Sequence, residues 1–179
     1  MRGPGVSLVG MSGTKQRDQV RDLAKKQPAQ ALELALKIDD PWFRAQALAH
    51  VARFTDRDPV KVAKEAAKAA GKCDDDYKRA AVRAWVIAAL AERGHRAEAI
   101  KALESALAQS KSVTPNSARS EALILLLHAA FYIDKRSATR VLSELKSACG
   151  NESHWRCKRA IKDADALLAE NGQPRPFHW

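Results

Sequence analysis

Four arginines at similar intervals are the side chains of this sequence best suited to binding a ligand. Arg44, Arg79, Arg119 and Arg156 follow one another at steps of 35, 40 and 37 residues; we call them the arginine ladder. A guanidinium is a planar fork of donors that matches a carboxylate or a phosphate. Four such groups on one surface would therefore bind an acidic peptide or a phosphate backbone.

An aromatic residue stands beside three of these arginines, at Trp42, Tyr77 and Trp155. Neighbouring aromatic and arginine side chains can grip a peptide or stack on nucleotide bases. Rings at helix junctions also serve to fill a core, so a binding role and a packing role are both open at this stage. Trp85 lies within an apolar run, and we expect it in the core.

The ladder also has a structural interpretation. Asp40, Asp75 and Glu152 precede three of the arginines by four residues. An acid followed by a base at this spacing forms an intrahelical ion pair worth about 0.2–0.5 kcal/mol. Pro115 holds the matching position before Arg119, which is therefore predicted to lack an acid. If the ladder binds a ligand, Arg119 is its best single candidate.

Other candidate chemistry is weak. His154 and Cys157, with Cys149 nearby, suggest a metal site, but zinc needs four ligands and the sequence offers no fourth. The chain has no phosphate-loop motif, no Gly-x-Ser-x-Gly and no His-Glu-x-x-His. We therefore expect no metal, no cofactor and no catalytic residue, and we interpret the chain as non-enzymatic.

Prolines, glycines and acidic residues mark where helices begin and end. Asp40-Pro41 and Asp58-Pro59 each place a capping side chain before a proline of the first turn. Alanine is abundant and no segment has the alternation of a strand, so helix is predicted throughout. Nine helices are predicted, over 14–27, 28–38, 41–55, 59–71, 74–93, 95–110, 115–133, 136–148 and 153–170.

The spacing of 35 to 40 residues between successive ladder arginines is typical of stacked helical hairpins. Asp-Pro-x-x-Arg at 40–44 resembles a HEAT-type repeat. Gly-His-Arg-Ala-Glu-Ala-Ile at 94–100, with Leu103 and Leu107 after it, resembles the second half of a tetratricopeptide repeat. The resemblance covers roughly 28–170 and implies an all-α fold, a right-handed stack of antiparallel helical hairpins called an α-solenoid. It also implies a concave surface that binds another macromolecule, usually a protein or peptide.

The rest of the chain sets the domain organisation. We expect a disordered leader over 1–13, a helical-repeat domain over 14–171 and an extended tail over 172–179 that leaves the body. No segment approaches the ~20 apolar residues that cross a bilayer, so no membrane association is expected. Three cysteines, an odd number, favour a reducing compartment and a cytoplasmic location.

A net charge of +10, from 31 basic and 21 acidic residues, is spread evenly along the chain and favours acidic partners. The leading hypothesis is a helical-repeat adaptor that binds a protein or peptide on its concave face. The alternative is a basic module that binds the DNA or RNA backbone through its arginines and aromatic rings. A third hypothesis is an enzyme of the helical-repeat DNA-glycosylase type, which needs an acid and aromatic rings in one cleft. Association into a homo-oligomer is also open.

Overall fold

The structure, a computed structural model, is built from helices. It describes Leu8, residues 10–169 and residues 172–177, and no β-strand occurs within these ranges. None of the helices described is long and apolar enough to cross a membrane. The helices in this part of the chain are α1 (Gly13–Ala24), α2 (Pro28–Ala35), α3 (Pro41–Phe54), α4 (Pro59–Ala70), α5 (Asp76–Ala81), α6 (Arg83–Glu92), α7 (Arg96–Ser110), α8 (Asn116–Phe131), α9 (Lys135–Cys149) and α10 (Trp155–Leu168).

All nine predicted helices are present among the described residues. The fifth comprises two segments, α5 and α6, because Val82 interrupts its hydrogen-bond pattern. The Trp85 N–H donates to the Val82 carbonyl at 3.2 Å, an i→i−3 bond that tightens one turn. Val82 keeps right-handed helical dihedrals, with φ −67° and ψ −18°, so the two segments form one helical rod.

The helix starts follow the capping residues that the sequence indicated. The Asp40 carboxylate accepts a hydrogen bond from the Trp42 backbone N–H at 2.8 Å. Asp58 and Asp75 cap α4 and α5 in the same way, each accepting from the backbone N–H three residues on. Each cap satisfies a donor that the first turn leaves unpaired, and contributes about 1 kcal/mol. Gly94, with φ 78°, follows α6 in the left-handed region that glycine favours.

The helices pack against their neighbours in sequence, and most of them also pack against a helix further along. Contacts join α3 to α4, α6 to α7 and α8 to α9. They also join α3 to α6, α6 to α8 and α8 to α10. The core between these helices is made mostly of alanine and leucine, with Leu48, Leu123, Leu126 and Leu127 fully buried.

The residues that lead up to the first three ladder arginines share the same pattern of exposure in the structure. Residues 36–45, 71–80 and 111–120, the joint segments, share one order of exposure, residue for residue. Two exposed residues come first, then one buried, two exposed, four half-buried and one buried. The ladder arginine is always the last of the four half-buried residues. The fourth occurrence departs from this order, because Trp155 and Arg156 are exposed.

Both ends of the described chain touch the helices. Leu8 is buried, and its carbonyl accepts from the Gln16 side chain at 3.1 Å. Residues 172–177, the C-terminal segment, form no helix and lie against the body, whereas the sequence suggested a tail that leaves it. The reason is Phe177, an aromatic side chain that becomes fully buried. The remaining residues of the expected leader and tail, 1–7, 9, 178 and 179, lie outside the described residues.

Candidate functional site

Two arginines of the ladder bind their own backbone. Arg44 Nε donates to the Ile38 carbonyl, and Arg79 Nη1 donates to the Cys73 carbonyl at 2.6 Å. Each carbonyl lies six residues before its arginine and belongs to a buried residue of a joint segment. These guanidiniums therefore tie the start of one helix to the end of the helix before it.

The ion pairs predicted at four-residue spacing are not formed, and this prediction is wrong. Asp40 and Asp75 cap α3 and α5, so their carboxylates are engaged by backbone N–H groups. Arg79 instead pairs with Asp76, at 2.9 Å. Glu152 accepts from a side-chain amide of α8 at 2.7 Å. Capping competes successfully with the ion pair because a cap also satisfies an unpaired backbone donor.

Arg119 is not the unpaired arginine that the sequence predicted. Its Nη2 lies 3.5 Å from Oε2 of Glu144, an acid supplied by α9. The Arg119 side chain is 17% exposed, and its Nε is buried without a hydrogen-bond partner among the described residues. Arg119 therefore lies between α8 and α9 and is poorly placed for a ligand contact.

A surface cleft forms where α5, α8 and α10 begin. Its volume is about 470 Å³. We call it the aromatic cleft, and its lining residues are Tyr77, Ala118, Glu121, Trp155, Arg156 and Arg159.

The aromatic cleft contains an exposed tryptophan whose ring is contacted by two guanidiniums. Trp155 is 57% exposed. The guanidinium carbons of Arg156 and Arg159 lie 5.4 and 4.9 Å from its ring centroid, within cation–π distance. Arg159 also donates to Glu121 across the cleft at 2.7 Å. Arg156 makes no ion pair with any other residue in the described ranges.

Trp42 and Tyr77 connect the cleft to the interior. Their ring centroids lie 6.5 Å apart in a stacked arrangement, and Trp42 also meets the edge of buried Trp85 at 6.0 Å. Trp42 therefore belongs to the packing between α3 and the α5–α6 rod. Tyr77 contacts Trp42 on the interior side and also lines the aromatic cleft. Burial raises the pKa of the Tyr77 phenol, and the carboxylates of Glu121 and Asp75 raise it further.

The aromatic cleft brings together three of the seven predicted site residues, Tyr77, Trp155 and Arg156. It leaves out Trp42, Arg44, Arg79 and Arg119. No family model, curated protein or solved structure matches this chain. The function of the cleft therefore has to be argued from its own geometry.

Sequence reasoning missed the other three residues of the cleft, Ala118 and the two charged residues Arg159 and Glu121. Arg159 follows Arg156 by three residues on one helix, so helical periodicity could have placed both on one face. Glu121 had no such signal, because its place beside Arg159 depends on how α8 packs against α10.

The His154–Cys157–Cys149 group does not form a metal site. His154 Nδ1 accepts from the Arg156 backbone N–H at 3.2 Å, and Cys149 Sγ donates to a backbone carbonyl of α8 at 3.7 Å. Burial raises the pKa of the Cys149 thiol to about 12. Across the ranges described, no three His, Cys, Asp or Glu side chains lie close enough to share a metal ion.

Proposed function

We propose that this chain is a non-enzymatic helical-repeat scaffold that binds an acidic protein segment in its aromatic cleft. The observation that carries the proposal is the exposed Trp155 ring, which lies within cation–π distance of both Arg156 and Arg159. Tryptophan and arginine are the side chains most enriched among the residues that dominate binding energy at protein interfaces.

We further propose that the helices pair as antiparallel hairpins and stack into a right-handed α-solenoid, similar to tetratricopeptide and HEAT repeats. The short connections, the contacts of helices with the next and with one further along, and the three matching joint segments support this arrangement. In such a stack, the starts of α5, α8 and α10 lie side by side. The aromatic cleft would then lie on the concave face and be shared by three repeats.

Charge determines the partner chemistry that we favour. Arg156 has its guanidinium beside the Trp155 ring and no carboxylate of this chain paired with it in the described residues. A partner aspartate or glutamate would complete that pair, while an apolar partner residue would cover the ring. The net charge of +10 also favours encounter with acidic surfaces.

Nucleic-acid binding and a glycosylase-type activity are the alternatives. Three ladder arginines contact their own backbone or an acid of this chain, so they offer no continuous track for phosphates. Glu121 does lie near aromatic rings, as a glycosylase would require, but it is held in an ion pair with Arg159. We therefore favour the protein partner.

The test selects displayed random 12-residue peptides on the wild-type chain, on Trp155→Ala and on Arg156→Glu. Arg136→Glu, the same charge change at an exposed residue of α9, is the matched control. We expect acidic peptides that bind the wild type and the control, and that lose at least about tenfold in affinity on the cleft variants. If the selected peptides bind all four proteins with equal affinity, the aromatic cleft is not their binding site. Labelled single-stranded and duplex DNA and RNA are titrated in parallel, and binding that weakens steeply with salt would favour the nucleic-acid alternative.

A further inference from the structure

The C-terminal segment is held by side chains of the body through its main chain. The Arg175 N–H donates to His128 Nδ1 at 3.1 Å, and the Arg175 carbonyl accepts from the Tyr132 hydroxyl at 3.2 Å. His128 and Tyr132 lie one turn apart at the end of α8, so one helix face satisfies both main-chain polar groups of a single residue, Arg175. The Phe177 carbonyl accepts from Arg53 Nη1 of α3 at 2.9 Å.

One side chain anchors the segment. Phe177 is fully buried and meets Trp85 and Tyr132 edge to face, with ring centroids 5.3 and 6.3 Å apart. The other side chains of the segment are exposed or half-buried. The contact therefore combines main-chain hydrogen bonds, which any extended peptide could make, with one aromatic pocket that selects the residue two positions further on.

We propose that this site, the tail slot formed by Arg53, Trp85, His128 and Tyr132, is a peptide-binding site with the C-terminal segment as its exchangeable resident ligand. Its ligand class is an extended peptide that carries an aromatic side chain two residues after the one whose N–H and carbonyl are bound. This proposal is independent of the aromatic cleft, because it depends on different contacts.

The contacts indicate that the C-terminal segment docks reversibly, as a latch that can open while the rest of the chain stays folded, and is not a permanent part of the core. The segment has no secondary structure, and the three hydrogen bonds given above for Arg175 and Phe177 go to side chains of the body, while the Gly172 N–H donates to the Ala169 carbonyl just before the segment at 3.0 Å. Regions with few buried apolar contacts open locally at a lower free energy than the whole fold. Burial and the charge of Arg175 lower the pKa of His128 to about 4, while Asp163 raises it slightly. His128 is therefore neutral near pH 7, as an acceptor must be.

Attachment to the chain keeps the slot occupied. A short linker gives the segment an effective concentration in the millimolar range, so a free peptide must compete with it. While the segment occupies the slot, it lowers the apparent affinity of the slot for a free peptide. If the segment leaves, this competition ends and the apparent affinity rises by the same factor. A substitution that releases the segment should therefore expose the slot.

The test uses full-length chains and a labelled synthetic peptide that covers residues 172–179. By fluorescence anisotropy, we expect the Phe177→Ala chain to bind this peptide at least about tenfold more tightly than the wild-type chain does. The same peptide with Phe177→Ala should bind neither chain. Gln173→Ala, which changes an exposed residue of the segment, is the matched control and should behave like the wild type. A folded Phe177→Ala chain that ignores the peptide, or binds both peptides equally, would overturn the proposal.

If circular dichroism shows that Phe177→Ala does not fold, hydrogen exchange of the wild-type chain decides the question. In a latch, the Arg175 amide exchanges at least about 100-fold faster than the Leu126 amide in the centre of α8, because it needs only local opening. Equal protection of the two amides would mean that Phe177 is an integral part of the core, and would overturn the proposal.

Discussion

Replacing Arg79 by methionine separates the two roles that the sequence left open for the arginine ladder. The change removes a charged donor 2.6 Å from the Cys73 carbonyl and an ion pair with Asp76 at 2.9 Å, while methionine keeps the apolar stem. A hydrogen bond from a charged group contributes about 1.5–3 kcal/mol, and a partly exposed ion pair contributes about 0.3–0.5 kcal/mol. Because the Arg79 side chain is 29% exposed, we discount the sum and expect a loss of about 1.5–2.5 kcal/mol.

Arg156→Met is the matched comparison. Arg156 is exposed, and its described partner is the face of Trp155. Removing it should change the free energy of unfolding by less than about 0.5 kcal/mol. Both variants replace an arginine of the ladder by methionine. Arg79 lies in a joint segment, whereas Arg156 lies in the aromatic cleft.

Urea unfolding followed by far-UV circular dichroism measures both variants, with thermal unfolding as a second readout. For a chain of this size, the loss expected for Arg79→Met corresponds to a Tm lowered by about 3–10 °C. Equal stability of Arg79→Met and Arg156→Met would refute the structural role that we assign to Arg79. A large loss for Arg156→Met would show that the cleft also stabilises the fold.

Two further predictions concern the tail slot. Glu92→Ala leaves Arg53, a buried residue of the slot, without its carboxylate partner. We expect the free energy of unfolding in urea to fall by about 3 kcal/mol, at the low end for a buried pair because Glu92 is 24% exposed, and a negligible loss would contradict this. For His128, the pKa is depressed in the docked state, so docking is fully favourable above about pH 6.5 and weakens as pH falls towards 4. The 172–179 peptide should therefore bind the Phe177→Ala chain more weakly at pH 5 than at pH 7.5, and this difference should vanish when His128→Gln is added.

Features that depend on local physics were predictable from the sequence. Caps at Asp40 and Asp58 fix where two helices begin, because a carboxylate beside unpaired N–H groups stabilises a first turn whatever surrounds it. The interruption at Val82 had no such signal. It keeps helical dihedrals and carries neither glycine nor proline, so only the packing of the rod reveals it.

The candidate site was predicted only in part, because local sequence signals place residues on helices but do not show which helices pack together. Trp155 and Arg156 could be placed at a helix start, but their exposure depends on which helices lie beside them. Arg119 looked unpaired because the acid that meets it, Glu144, comes from the next helix. The docking of Phe177 on Trp85 joins residues far apart in sequence, and no periodic pattern encodes such a contact.

The joint segments also bear on how the length of this protein can vary. Three stretches of ten residues keep the same order of exposure, whereas the chain between successive ladder arginines varies from 35 to 40 residues. The differences in spacing between the ladder arginines therefore lie outside the joint segments. If the stretch from one joint segment to the next were duplicated or deleted, the new junction would again fall in a segment with the same order of exposure. We therefore expect that the chain could be lengthened or shortened by one such stretch.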